Sequence, residues 1–184
     1  MPFRRFGPDY TAYLSQASQF ISGQTNYVKI SSVQGPSFYP AGHLWHYVPV
    51  VWLYRLTDNA EYIWKFCHFL ILSAIQYFVA KISYAYFRDQ PLKAQLICFM
   101  LLGNEEIREF NAYLFNDSLL ALYILICLYF IIIKKRPIMA ALFLSLSISI
   151  KAGAMLMIPT FLGWVQYNHG VYNLIASISI IIGF

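Results

Sequence analysis

Long apolar blocks run through this sequence and decide the environment in which the chain can fold. Hydrophobic residues make up 59% of the 184 positions and charged residues 11%, whereas a soluble globular domain has roughly 25% charged residues. So few charges cannot cover a surface that faces water. A stretch of about 20 apolar residues is long enough for an α-helix to cross the hydrocarbon core of a bilayer. The sequence therefore predicts an integral membrane protein, an all-α bundle of several transmembrane helices.

The apolar blocks begin at about residue 38. Residues 1–37 are predicted to form a non-membrane loop, and residues 38–184 a transmembrane helical region. The predicted segments of this region are spans at about 38–54, 62–87, 112–133 and 138–162, a partial segment at 94–103, and a last span at 171–184 that is cut by the end of the chain. A polar start and an apolar last segment predict a chain truncated at both ends.

The loop is predicted to contain an amphipathic helix. Its apolar side chains recur at helical spacing, at Tyr10, Tyr13, Leu14, Ala17, Phe20 and Ile21. Pro8 suits a first helical position and Gly23 suits a helix end. This pattern is typical of a helix that lies along a membrane surface.

The sidedness of the spans follows from one dense basic cluster. Short loops rich in Lys and Arg stay cytosolic, which puts Lys134, Lys135 and Arg136 in the cytosol. Residues 94–103 are too short to cross alone and form either a tilted half-helix or a re-entrant segment. If they re-enter the membrane without crossing it, residues 7–37, 88–93 and 104–117 are luminal and residues 55–61 are cytosolic. Only with that assumption does the number of membrane crossings agree with the side assigned to each link.

Cysteines and basic residues argue against several other classes of protein. Cys67, Cys98 and Cys127 lie in apolar runs without disulfide or metal-ligand spacing. The thirteen Lys and Arg are mostly scattered singly, whereas a nucleic-acid surface needs a basic stripe. We therefore expect no metal, no cofactor and no nucleic acid, with membrane lipid as the surrounding partner.

Candidate functional residues are polar groups beside the predicted spans, because a charge near hydrocarbon is costly and usually has a use. Asp9 is either a helix-start residue favoured by the macrodipole or a base. Asn116 and Asp117 are explained as helix caps or as site residues. Lys151, deep in a predicted span, either pairs with a buried carboxylate or backbone carbonyls or binds a phosphate as a compact point charge.

The segment 35–43 is the second kind of candidate. Its two prolines and two glycines indicate irregular backbone. Because lipid cannot hydrogen-bond the open polar groups of such a backbone, it must be buried in protein or line a cavity. A kinked helix start is the simpler explanation. Tyr39 and His43, which lie close together in this segment, favour a pocket.

Four short motifs occur in an order that resembles one enzyme family. They are D-Y-x-A-Y at 9–13, G-P-S-F-Y-P-A-G-H at 35–43, L-F-N-D-S at 114–118 and S-I-S-I-K at 147–151. The dolichyl-phosphate-mannose-dependent α-1,3-mannosyltransferases of the lipid-linked oligosaccharide pathway, glycosyltransferase family 58, carry D-[WY]-x-A-Y, G-P-L-V-Y-P-A-G, R-L-F-N-D-P and S-V-K-M-N in the same order. The resemblance covers roughly residues 8–160.

This resemblance implies a GT-C fold and a multi-pass protein of the endoplasmic reticulum membrane with its active site on the luminal side. It implies transfer of mannose from dolichyl-phosphate mannose to the five-mannose oligosaccharide on dolichyl diphosphate, for protein N-glycosylation. Asp9 would be the general base, and the residues lining the donor or acceptor site would be Tyr39, His43, Asn116, Asp117 and Lys151. The candidate residues fit this reaction. Transfer from a phosphate-linked sugar needs one base and a group that holds the phosphate, whereas a glycosidase needs two carboxylates.

Other functions remain open at this point. Another polyprenyl-phosphate-sugar-dependent GT-C transferase, including a glycolipid-anchor mannosyltransferase, would differ in its acceptor. An inactive membrane fragment would fit the departures from the family pattern at Gly7, Tyr113 and Gly153. A transporter is less favoured, since transporters repeat broken helices in two halves and no second copy of the 35–42 segment occurs.

Overall fold

The structure, a computed structural model, describes residues 8–183. Gly7 and the rest of the first seven positions of the predicted loop lie outside the described residues, as does Phe184. The described chain is mostly helical, which confirms the predicted fold class at that level. Its helices are α1 (Pro8–Ile21), α2 (Ala41–Leu56), α3 (Ala60–Tyr86), α4 (Pro91–Gly103), α5 (Glu105–Ala112), α6 (Asp117–Leu128), α7 (Pro137–Ile150) and α8 (Ile158–Gly183).

Helix length and composition identify one candidate membrane span among the described residues. This is α3, with 27 residues and a mean hydropathy of 1.5 over its most apolar window. Three shorter apolar helices cover Pro91–Gly103, Asp117–Ile133 and Pro137–Ile150, where the second range includes a π-helical turn at Tyr129–Ile133 that continues α6. Helix α2 belongs to neither group.

Helix α1 packs along α2 through a buried aromatic face. It begins at Pro8 and is followed by Gly23 in a left-handed conformation with φ of 95°, so helix and end signal occur where the sequence predicts them. Its buried side chains Tyr10, Tyr13, Leu14 and Ala17 share one cluster with Tyr47, Val50, Val51 and Leu114. The apolar face of α1 is thus covered by protein.

A small hairpin connects these two helices. Strands β1 (Ser31–Ser32) and β2 (Gly35–Pro36) pair antiparallel, with Gly35 at a φ of 111°. The Tyr27 hydroxyl donates to the backbone oxygen of Tyr39 and lies 3.1 Å from Ser37 Oγ. The irregular backbone predicted near residue 35 is therefore a hairpin tied to the start of α2.

Helices α3 and α6 lie side by side and run in the same direction. Ile75 and Val79 line one cavity with Ser118 and Ala121 near the start of α6, and farther along the Phe78 and Tyr129 ring centroids are 5.2 Å apart. The two helices end together, where residues 86–88 share a groove with residues 132, 133 and 135. We call this end, which carries Arg88 and Lys134–Arg136, the basic end.

Helix α4 returns from the basic end to the opposite end. It begins after the short link that contains Arg88, and its residue Leu101 shares a cavity with Asp117 at the start of α6. Along the way, Gln76 Nε2 on α3 donates to the backbone oxygen of Cys98 at 3.1 Å. The links before and after α4 therefore lie at opposite ends of the bundle, and not on one side as the re-entrant interpretation of 94–103 requires.

The range predicted as one span at 138–162 is divided in the structure. Helix α7 ends at Ile150, Lys151 is extended with φ of −150° and ψ of 122°, and a 3₁₀ helix follows at Ala152–Met157. An extended residue cannot continue the helical hydrogen-bond ladder. Lys151 thus lies at a helix end and not in the middle of a span.

Helix α8 consists of two segments separated by Gly170, whose φ of 78° and ψ of 176° are not helical. Val165 before this residue and Leu174 after it belong to one apolar cluster, as do Phe161 and Ile180. The helix is therefore broken at Gly170, and both of its segments contribute side chains to the same apolar cluster.

The start of α2 touches the end of α7 at a glycine. A Cβ atom added to Gly42 would lie 2.3 Å from Ser149 Oγ and 2.8 Å from the Ser149 backbone oxygen. Because one of these atoms belongs to the backbone, a side-chain rotation cannot relieve the overlap.

We expect Gly42→Ala to lower the thermal midpoint of the detergent-solubilised protein, because the two helices must separate. Overpacking of this kind costs about 1–3 kcal/mol. The matched control is Gly103→Ala, where an added Cβ would have no neighbour within 4 Å. Equal midpoints for the two variants would contradict the close contact.

Candidate functional site

The four sequence motifs meet in one place, which we call the junction. It is formed by the surface of α1, the start of α2, the start of α6 and the end of α7. The segments that contribute are residues 9–13, 35–43, 114–118 and 147–151. Side-chain contacts join the first segment to the second, the second to the third, and the third to the fourth.

Tyr13, Tyr39 and His43 form the aromatic part of the junction. The ring of Tyr39 stacks on His43 with centroids 4.6 Å apart, and Tyr13 meets the same imidazole edge-on at 4.5 Å. The hydroxyl oxygens of Tyr13 and Tyr39 are 3.3 Å apart. The first motif is therefore fixed against the second through rings and one hydrogen bond.

His43 and Asn116 connect the second motif to the third. Both side chains are fully buried, and Asn116 Nδ2 lies 3.1 Å from His43 Nδ1. Within residues 8–183, His43 Nε2 and Asn116 Oδ1 are buried polar atoms without a hydrogen-bond partner. Burial of such atoms is costly unless they are bonded, so the pair offers one donor and one acceptor to a bound group.

Asn116 does not cap α6 with its side chain, as one of the two sequence-based explanations required. Asn116 is the residue before α6, but its side chain makes no capping hydrogen bond there. It points instead to His43. Nearby, the buried Tyr47 hydroxyl donates to the backbone oxygen of Leu114 at 3.2 Å.

Asp117 and Lys151 connect the third motif to the fourth. Lys151 Nζ lies 2.7 Å from Asp117 Oδ1, with 41% and 24% of the two side chains exposed. Asp117 lies in the first turn of α6 and Lys151 directly after α7. A carboxylate at a helix start and a cation at a helix end both interact favourably with the helix dipoles. Of the alternatives for Lys151, the structure contains the pairing with a carboxylate, and the half-exposed ammonium remains within reach of a ligand.

Asp9 lies at the edge of the junction. It is half-buried in the first turn of α1, one turn before Tyr13. Burial raises the pKa of the Tyr13 phenol well above its usual value, and the hydrogen bond with Tyr39 and the charge of Asp9 add to this rise. Tyr13 therefore stays protonated at neutral pH. Among the described contacts, none joins Asp9 to Asn116, Asp117 or Lys151.

Some junction residues were not among the predicted site residues. Tyr13 and Tyr47 flank His43, and His46 bridges the Gly42 backbone oxygen at 2.6 Å and the Tyr123 hydroxyl at 2.9 Å. The signal for Tyr13 was its place four residues after Asp9, which puts both on one helix face. No sequence signal connected His46 to Tyr123, because their contact depends on how α2 meets α6.

The described residues contain no group of three or more His, Cys, Asp or Glu side chains that could hold a metal ion. The junction itself offers two carboxylates, those of Asp9 and Asp117, one ammonium group, that of Lys151, and a set of neutral donors and acceptors. Such a set can accept a proton and hold an anion.

Comparison with known proteins connects this chain to one family. A family model described as "ALG3 protein" matches residues 7–184. A relative from Dictyostelium discoideum, named "Probable Dol-P-Man:Man(5)GlcNAc(2)-PP-Dol alpha-1,3-mannosyltransferase", is 27% identical over 94% of this chain and 44% of its own length. A Neurospora crassa protein named as the same transferase is 28% identical over 82% of this chain and 33% of its own length.

A Drosophila melanogaster protein, named "Dolichyl-P-Man:Man5GlcNAc2-PP-dolichol alpha-1,3-mannosyltransferase l(2)not2", is 22% identical over 94% of this chain and 35% of its own length. The chain thus spans less than half the length of these curated relatives. No solved structure matches it.

The buried contact between His43 and Asn116 should appear in a double-mutant cycle. We expect Asn116→Leu to cost about 1–3 kcal/mol of stability because His43 Nδ1 is left buried without its partner. His43→Phe/Asn116→Leu should cost less than the sum of the single changes, measured as thermal unfolding in detergent. Strictly additive changes would contradict the contact.

Proposed function

We propose, since this chain belongs to the ALG3 protein family, that the protein of which it forms part transfers mannose from dolichyl-phosphate mannose to the five-mannose oligosaccharide on dolichyl diphosphate, in α-1,3 linkage. The names of the relatives state this reaction for those proteins. The observation that carries the proposal is the convergence of the four motifs on one junction. Polar and aromatic residues that four distant segments bring to one place are the arrangement that a catalytic or binding site requires.

The reaction needs little from the protein beyond positioning. An acceptor hydroxyl oxygen attacks the anomeric carbon of mannose, the bond from that carbon to the phosphate oxygen breaks, and dolichyl phosphate leaves with the electron pair. One base takes the proton of the hydroxyl, and a cation or hydrogen-bond donors stabilise the charge on the departing phosphate. Attack from the face opposite the phosphate inverts the anomeric configuration.

In this proposal Asp9 is the general base. Its carboxylate is half-buried, and its charge acts on Tyr13, which belongs to the aromatic part of the junction and stays protonated. Tyr39 and His43 offer a ring face and a buried imidazole next to it. Sugar rings pack well on aromatic faces because these expose a large apolar area with few conformational degrees of freedom.

Lys151 is proposed to hold the donor phosphate. Before substrate binds, Asp117 neutralises its ammonium group at 2.7 Å. Both side chains are partly exposed, so an incoming phosphate can share the cation without first burying an unpaired charge. Asn116, with its free amide oxygen beside His43, is proposed to accept a hydrogen bond from a sugar hydroxyl.

The decisive test is Asp9→Asn in the full-length form. Microsomes that carry it should fail to elongate the five-mannose lipid-linked oligosaccharide when given labelled dolichyl-phosphate mannose, because the amide cannot accept the proton. The matched control is Asp58→Asn, which removes the same charge from the exposed link between α2 and α3 and should retain activity. Elongation by Asp9→Asn at the control rate would exclude Asp9 as the base.

We also propose that the protein is a multi-pass protein of the endoplasmic reticulum membrane with a GT-C fold, and that α2 does not cross the membrane. The start of α2 touches Ser149 at the end of α7, and its end leads into Ala60 at the start of α3. Ile75 of α3 is level with the start of α6, so Ala60 lies about 22 Å beyond that level. Both ends of α2 are thus on the junction side of the bundle.

If α2 stays on one side of the membrane, the number of crossings agrees with the sides of the links without any re-entrant segment. Helices α3, α4, α6 and α7 cross in alternate directions, and the junction faces the lumen while the basic end faces the cytosol. The cytosolic side then collects the cations Lys81, Arg88, Lys93, Lys134, Lys135 and Arg136. Such an excess of Lys and Arg is the usual mark of the cytosolic side.

Labelling of single cysteines distinguishes this topology from the one that the sequence predicts. In sealed microsomes containing a full-length form without other cysteines, a membrane-impermeant maleimide should label Asp89→Cys directly and Asn59→Cys only after permeabilisation. The sequence-based topology requires the reverse. Lys134→Cys should be labelled directly in both cases and serves as the control for sealed vesicles.

A further inference from the structure

We propose that the basic end carries a binding site for the head group of an anionic phospholipid. The site is a groove of about 560 Å³ between the end of α3, the side of α4 and the end of α6. Its size falls in the range of small-molecule pockets. It lies at the opposite end of the bundle from the junction and takes no part in the proposed transfer.

The walls of the groove are apolar and its rim is cationic. Ile82, Ile97 and Ile133 contribute apolar walls, and Arg88 and Lys135 are exposed side chains that line the same groove. In the described part of the chain, neither cation forms an ion pair with a carboxylate. Two unneutralised cations beside an apolar groove complement a negatively charged head group that is attached to acyl chains.

Lys135 is held in a conformation that glycine adopts more easily. Its φ is 54°, a left-handed value that is uncommon for a residue with a Cβ atom. Around it, Lys134 N donates to the Tyr129 backbone oxygen at 3.1 Å and Arg136 N donates to that of Phe130 at 2.9 Å. This pattern is a helix C-terminal turn in which glycine is the usual occupant of the left-handed position. The chain therefore accepts backbone strain to keep a lysine side chain here, next to the Trp164 ring at 5.8 Å.

An anionic phospholipid fits this site better than a soluble anion does. A soluble phosphate gains nothing from apolar walls, whereas a phospholipid places its glycerol and upper acyl carbons against them and its phosphate at the rim. Basic pockets between the ends of membrane helices are recognised sites for such head groups. A buried serine hydroxyl, Ser83 with 7% exposure, also lines the groove and can donate to a phosphate or ester oxygen.

The test compares two short-chain lipids that differ in net charge. Binding of dioctanoyl phosphatidylglycerol and of dioctanoyl phosphatidylcholine to the purified full chain in neutral detergent is measured by native mass spectrometry. We expect at least tenfold tighter binding of phosphatidylglycerol, and loss of that preference in Arg88→Gln/Lys135→Gln. Because detergent micelles have no sides, the result does not depend on the proposed topology or on the proposed transfer.

The matched control is Lys134→Gln/Arg136→Gln, which removes the same amount of charge from the basic end but from residues that do not line the groove. It should keep most of the preference. An equal loss in both double variants would mean unspecific attraction to basic residues and would overturn the proposal. So would equal binding of the two lipids by the unchanged protein.

A second variant separates lipid binding from folding. Lys135→Gly removes the side chain but relieves the left-handed strain. Its thermal midpoint without lipid should equal or exceed that of the unchanged protein, while its preference for phosphatidylglycerol falls. A preserved preference in Lys135→Gly would overturn the assignment of Lys135 to the site.

Discussion

The ion pair of Asp117 and Lys151 links the two helix ends on which the arrangement of the junction depends. It joins the start of α6 to the end of α7 at 2.7 Å, where two helix dipoles favour the same placement of charges. Gly42 packs against Ser149, two residues before Lys151, and His43 binds Asn116, one residue before Asp117. The start of α2 is therefore docked on the two helix ends that the ion pair joins.

Much of the helical arrangement could be read from the sequence, because apolar periodicity and end signals are local properties. Pro8 and Gly23 mark α1, and the block from Tyr62 to Phe87 corresponds to α3. The interpretation of 38–54 as a span is the part with which the proposed topology disagrees. Its apolar residues include Tyr47, Val50 and Val51, which are buried under α1. An apolar composition indicates that a helix has an apolar neighbour, but it does not distinguish whether that neighbour is protein or lipid.

The candidate site was predictable as a list of residues and not as an arrangement. Asp9, Tyr39, His43, Asn116, Asp117 and Lys151 stood out because they are polar groups beside apolar blocks. Their mutual contacts depend on which helix ends meet, and no local pattern contains that information. The break at Lys151 was missed for a related reason. Residues 147–157 are apolar enough to predict an uninterrupted helix, whereas the helix ends at Ile150 and Lys151 pairs with Asp117 at the junction.

The separation along the chain of the residues at the junction also fixes the order in which the protein can mature. His43 and Asn116 are 73 positions apart, so α1 and α2 are synthesised long before their partners on α6 and α7 exist. Domains form their non-local contacts late, and apolar surface that waits for a partner is prone to aggregation. The aromatic face of α1 can meet α2 as soon as both helices have been made, whereas the contacts of His43 and Gly42 must wait until α6 and α7 have been synthesised.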